Sequence, residues 1–237
     1  FQDNYGSMHR HLTGKILVTT NCHTMIPDFK EIFTHLKSNK TAEDFKKLYA
    51  FEKELKTLAT TPLFRSIWSS YEEFVSQANA ISLKATISKI NILRSNEQTS
   101  GYILENWADT KTRYNGVSDV LHTAKLTVDD LKTVTSVSQV LIHNLSNAVA
   151  KETPITFDLT LLNELRVSPF TLTIELKNSA GKVIANTSVK VTPEGLVFPI
   201  GSISLDAPAK IGVYSISAAI DKNTSNIGTF SEEILVL

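Results

Sequence analysis

The sequence predicts a mainly helical bundle over residues 1–150 followed by an antiparallel β-sandwich over residues 154–237. Two observations predict it. Apolar residues recur every three or four positions through most of Pro27 to Ala148, the period of a helix, whereas from Ile155 onward they alternate with polar ones, the period of a half-buried strand. The polar stretch Ala150-Lys151-Glu152-Thr153-Pro154 separates the two regimes, and 237 residues suffice for two cores.

The N-terminal elements follow in order. Residues Phe1 to Thr20 leave the alternatives open, with Lys15-Ile16-Leu17-Val18-Thr19 either a short strand or a buried segment. Phe29, Ile32, Phe33 and Leu36 fall on one helical stripe that stops near Ser38-Asn39. Thr41-Ala42-Glu43-Asp44 resembles a capping box, and Phe45, Leu48, Tyr49, Leu55 and Leu58 mark the next buried face. Thr60-Thr61-Pro62 ends that helix and begins another, because proline fits a first helical turn. Phe64 to Ala78 continue at helical spacing; Ile81 to Ile90 fit a helix or a strand, with the helix preferred.

Two long helices are then expected. Ile103, Trp107, Thr110, Tyr114, Val117, Leu121 and Ala124 step by three and four, and Leu131 to Ala148 repeat the pattern after a Thr127-Val128-Asp129-Asp130 cap. They form a predicted antiparallel hairpin near Lys125 to Thr127, completing a four- or five-helix bundle. This hairpin, over 103–148, is also the predicted surface for a homo-oligomer.

In the C-terminal part, Ile155 to Leu161 and Phe170 to Leu176 alternate as strands, and Asn178-Ser179-Ala180-Gly181-Lys182 makes a turn whose positive φ Gly181 supplies. Val183 to Val191, Leu196 to Ile200 and Ser202 to Leu205 read as further strands. Ile211-Gly212-Val213-Tyr214-Ser215-Ile216-Ser217 resembles the Gly-x-Tyr-x-apolar penultimate strand of immunoglobulin-like and macroglobulin-like domains. That resemblance covers about 80 residues and implies a disulfide-free immunoglobulin-like sandwich, a fold that hosts many functions.

Composition excludes some classes. Lysine plus arginine equals aspartate plus glutamate, 24 against 24, so no global field attracts nucleic acid or an anionic membrane. With 42% hydrophobic and 20% charged residues the chain belongs among folded globular proteins. No apolar run is long enough for a membrane span. Phe1 at the start, with Gly6-Ser7-Met8 as a scar, and the strand-like Glu233 to Leu237 at the end predict a processed ectodomain or fragment.

Candidate chemistry is sparse. His9, His11, Cys22, His23 and His35 are metal-ligand types, but their spacing matches no metal motif, and surface histidines explain them. Cys22-His23 adjacency does not make a thiol–base dyad, and one cysteine gives no internal disulfide. No phosphate loop, His-Glu-x-x-His or Gly-x-Ser-x-Gly occurs. Glu72-Glu73 reads as a solvated face, Asp129-Asp130 as helix-start electrostatics and Glu232-Glu233 as edge-strand protection. Sequons at Asn39, Asn144, Asn186 and Asn223 are about what an Asn-, Ser- and Thr-rich chain carries by chance. Trp68, Tyr71, Phe74, Trp107 and Tyr114 read as core, with a ligand pocket as the rarer alternative.

No catalytic, cofactor-binding or metal residue is therefore assigned. The functional expectation is a non-enzymatic, extracellular or cell-surface module whose helical domain binds a protein partner, with the sandwich as spacer or second contact. A self-assembling structural component is the alternative, and a metal- or thiol-dependent enzyme the third.

Overall fold

The computed structural model describes residues 15–36, 43–110, 113–220 and 227–237. The chain divides into two compact units, Phe1–Leu93 with Gln98–Val134, and Arg94–Glu97 with Thr135–Leu237. The expected 150–154 boundary therefore lies inside the second unit.

In the first unit, strand β1 (Ile16–Asn21) pairs in parallel with β2 (Thr99–Glu105). Helices α1 (Phe29–His35), α2 (Glu43–Leu58), α3 (Pro62–Arg65) and α4 (Tyr71–Arg94) lie between these strands in sequence, and α5 (Val128–Thr135) ends the unit. Asp28 caps α1 by accepting from the Glu31 amide at 3.1 Å, and Thr61 caps the proline-led α3, as expected from Thr60-Thr61-Pro62. The stripe on α1 meets α2 through aromatic contacts: Phe29 lies edge-on to Phe51 at 5.7 Å and Phe33 to Phe45 at 5.2 Å, around buried Ile32 and Leu48. Residues 80–93, which fitted either period, are helical within α4. The expected helix end at Ser38-Asn39 and the Thr41 side of the capping box fall outside the described residues.

The predicted helical bundle is not what this chain forms. The described residues of 103–124 hold no helix: β2 ends at Glu105, and an irregular segment follows with left-handed backbone at Asn106 (φ 61°) and His122 (φ 64°). Those conformations interrupt a right-handed helix, and two residues of the expected buried stripe, Ile103 and Trp107, are exposed. The second predicted helix survives as α5, with Thr127 and Asp130 exchanging cap hydrogen bonds as expected, and then gives way to β3 (Ser138–His143) and β4 (Ala148–Val149). Val140-Leu141-Ile142 form part of a nearly continuous buried run, a pattern that periodicity alone cannot divide between helix and strand. Among the described residues the predicted helical hairpin over 103–148 is therefore absent.

The second unit is a two-sheet sandwich. Strands β5 (Pro154–Asn163), β6 (Phe170–Asn178), β7 (Val183–Val191), β8 (Val197–Asp206), β9 (Gly212–Ile220) and β10 (Ser231–Val236) join β3 and β4 in the sheet orders β3-β5-β8 and β4-β10-β9-β6-β7. Read as strands A, B, E and A′, G, F, C, C′, this is the order of an immunoglobulin-type sandwich. The alternating residues face each other in one core that includes Phe157, Leu161, Leu172, Ile174, Ile216 and Ile234. The Tyr214 hydroxyl donates to the Lys210 carbonyl at 2.8 Å, pinning the corner that leads into β9. Gly181 turns at φ 78° while the Asn178 side chain accepts from the Ala180 and Lys182 amides. The two short strands expected at 196–205 are one bulged strand: Leu159 faces Gly201 and Thr160 faces Pro199, leaving Ile200 extra. Pro199 is tolerated because β8 is an edge.

Across β3, β5 and β8, His143, Asp158 and Ser202 stand in register. Asp158 accepts from Ser202 and, at 2.6 Å, from Asn144, and those bonds hold its carboxyl below the usual range. Burial pushes the His143 imidazole down, against the pull of Asp158. Both groups bind protons less readily folded than unfolded, so their stabilisation is present at neutral pH and lost on acidification, beginning below about pH 6.5 for His143. The sandwich should accordingly show a falling unfolding midpoint from that pH downward. His143→Gln should remove the upper part of the pH dependence and leave the carboxylate part.

Candidate functional site

The first unit contains an open cleft of about 440 Å³ with a polar wall. Its apolar lining includes Met25, Ile26, Pro27 and Leu83, and its polar lining includes Asp119 and Lys125. The segment from Cys22 to Asp28 is tied to α4 by side chains. Asn79 accepts from the Ile26 amide at 2.7 Å and donates back to the Ile26 carbonyl at 2.9 Å, and Thr86 accepts from the His23 amide at 2.8 Å. These are paired backbone groups of an irregular segment, which has no ladder to satisfy them.

Behind the wall, the irregular segment between β2 and α5 is organised by two buried carboxylates. Asp119 Oδ1 accepts from the Leu121 and Thr123 amides at 2.8 and 2.9 Å. Asp109 Oδ1 accepts from the Gly116 amide at 2.8 Å and from Lys125 Nζ at 2.7 Å, while the same ammonium donates to the Tyr114 carbonyl at 2.9 Å. Asp109 Oδ2 is buried and, among the described residues, has no hydrogen-bond partner. Burial pushes the Asp109 carboxyl up, opposed by its bonds to Lys125 and Gly116. Lys89 is 5% exposed, and burial pushes its amine down.

Among the described residues, those singled out from the sequence do not converge. Cys22 packs with Met25, Val117 and Leu126, and burial pushes its thiol up, the opposite of an activated nucleophile. His23 is half-buried with its imidazole pushed down by burial, and His35 lies exposed on α1, within hydrogen-bond distance of the Glu31 carbonyl. His9 and His11 lie outside the described residues, as do Asn39 and Asn223. Among the described residues no group of three His, Cys, Asp or Glu side chains is placed to hold a metal.

The five aromatics also separate. Trp68 and Phe74 pack with Phe64 at 4.9 to 5.2 Å, and Tyr71 lies beneath the Lys56 ammonium at 5.9 Å, its hydroxyl pushed up to about 12 chiefly by burial. Tyr114 stacks on Phe51 at 5.0 Å, and Trp107 is 72% exposed. They form packing clusters and one solvent-facing indole rather than a single pocket. Sequence reasoning missed the Asp109–Gly116–Lys125 group because Asp109 and Gly116 sit on a stretch read as regular helix and Lys125 at the hairpin turn predicted to end it. Asn115-Gly116, a turn signal in the middle of that stretch, pointed the other way.

No protein-family model matches the sequence, and no curated protein matches it. Solved structures show weak likenesses. The CARDB domain of the PF1109 protein from Pyrococcus furiosus, in complex with di-metal ions, is 15% identical with a TM-score of 0.30, over 42% of this chain and 85% of that one. A glycosyl hydrolase family 2 member from Bacteroides cellulosilyticus is 13% identical at a TM-score of 0.34, over 41% of this chain and 14% of the enzyme. A β-glucosidase from Listeria innocua is 9% identical at 0.30, over 42% of this chain and 16% of the enzyme. Likeness at this level carries no argument about activity. The chain comprises an α+β unit with a buried polar wall and a β-sandwich of immunoglobulin-type strand order.

Proposed function

We propose that the chain is a non-enzymatic protein-binding module of the cell surface or the secreted fraction. The corner of α2 and α3 presents the binding face, and the sandwich acts as spacer or second contact. One observation carries this reading: Leu58, Leu63 and Ile67 are 50%, 75% and 61% exposed within one short stretch of chain. Single exposed aliphatic residues are ordinary, but a concentration of large ones at one corner is costly to leave in water and is typical of a surface that another protein covers. Thr61 and Pro62 fix that corner by capping α3, so the face is held ready rather than assembled on binding.

The test is a triple variant, Leu58→Ser, Leu63→Ser and Ile67→Ser. Partner capture by the intact chain should be lost, while folding stability changes by no more than about 0.5 kcal/mol per position because the side chains are largely exposed. Undiminished capture by the triple variant would remove the α2–α3 corner from the proposal. Cell fractionation tests the location independently.

A further inference from the structure

We propose that Lys125 and Asp109 condense into an intramolecular isopeptide bond, a covalent staple across the irregular segment between β2 and α5. The two side chains meet at 2.7 Å with the Lys125 side chain 10% exposed and the Asp109 side chain 0% exposed. A buried ion pair of this kind loses hydration on both partners, and that loss offsets much of its Coulombic gain. Condensation removes both charges together.

The geometry supplies the parts of the reaction. Lys125 Nζ is pinned between Asp109 Oδ1 and the Tyr114 carbonyl, so the amine has little freedom to leave the carboxyl it faces. The Gly116 amide donates to the same Oδ1 at 2.8 Å, where negative charge develops when the carboxyl carbon is attacked. Oδ2, buried and without a partner among the described residues, is the oxygen that leaves. Burial also favours the neutral acid that the reaction needs.

The steps balance within the pair. A proton passes from the Lys125 ammonium to the Asp109 carboxyl and settles on Oδ2, giving a neutral amine facing a neutral acid whose Oδ1 is the carbonyl oxygen. Nζ attacks Cγ, forming the C–N bond and placing negative charge on Oδ1 opposite the Gly116 N–H. A second amine proton then passes to the Oδ2 hydroxyl, the Cγ–Oδ2 bond breaks, and one water leaves. No oxidant, reductant or cofactor is consumed. Lys125 keeps one N–H as the amide, able to donate to the Tyr114 carbonyl.

The experiment is the intact mass of the purified, denatured chain, followed by tandem mass spectrometry of a proteolytic digest. The expected mass is lower than the sequence mass by one water, with a branched peptide joining the segments that contain Asp109 and Lys125. Lys125→Arg retains the positive charge but cannot form the bond, and should restore the full mass. Three outcomes overturn the proposal: the full sequence mass in the unmutated chain, a water loss that persists in Lys125→Arg, or a loss of ammonia, which would instead mark cyclisation at Asn115-Gly116.

Discussion

Gly116→Ala should unfold the segment between β2 and α5, costing more than about 3 kcal/mol in the first unit. A Cβ at Gly116 would lie 2.4 Å from the Ala108 carbonyl carbon, 2.4 Å from the Asp109 nitrogen and 2.7 Å from the Ser118 oxygen. All three are backbone atoms, and none can rotate away as a side chain would. They belong to the strand-like bridges that place Asp109 and Ser118: the Asp109 amide donates to the Ser118 carbonyl, and the Ser118 amide to Trp107. Relieving the overlap therefore breaks those bonds and leaves a buried carboxylate without its Gly116 donor. Hydrogen exchange in residues 106–127 reads the effect directly. Gly101→Ala is the control, since its added Cβ meets only the end of the Leu17 side chain at 3.4 Å; a comparable loss in both variants would refute the close-approach explanation.

Phe157→Ala should cost about 3–5 kcal/mol in the sandwich. Phe157 is 1% exposed on β5, the middle strand of its sheet, and belongs to the core built by both sheets. Its removal opens a cavity that β5, held on both sides by ladder bonds to β3 and β8, cannot collapse to fill. The expected result is a lower denaturant midpoint for the sandwich with an unchanged slope. Val183→Ala, at the start of edge strand β7, should change stability by less than about 0.5 kcal/mol. If the two substitutions cost the same, the core assignment of Phe157 is wrong.

The contrast between these positions explains what could be read from sequence. Phe157 was legible because alternation in Ile155, Phe157, Leu159 and Leu161 has a direct physical cause: one face of β5 meets a core and the other does not. Tyr214 was legible by another route, the resemblance of Ile211 to Ser217 to a Gly-x-Tyr-x-apolar strand, and its hydroxyl finds its acceptor at the corner before β9. Gly116, Asp109 and Lys125 were illegible because nothing periodic holds them. Their segment is set by specific polar bonds and one close backbone approach, while Ile103, Trp107, Tyr114, Val117 and Leu121 happen to fall at helical intervals. The buried run of β3 failed differently: with nearly every residue covered it had no alternation to show, so the helix period was imposed on a strand. The cleft and its polar wall inherit this blindness, because they are assembled from irregular backbone.

The division of the first sandwich strand into β3 and β4 has a mechanical consequence. β4 runs parallel to β10, and three backbone bonds at 2.9 Å join them: Leu235 to Asn147, Leu237 to Val149 and Lys151 to Leu237. Tension applied through β4 from its N-terminal side and through β10 from its C-terminal side pulls two parallel strands past each other. The three bonds then share the load as a shear clamp and must yield together, whereas an antiparallel terminal pair would open one bond at a time. A sandwich joined this way resists stretching before its core is exposed.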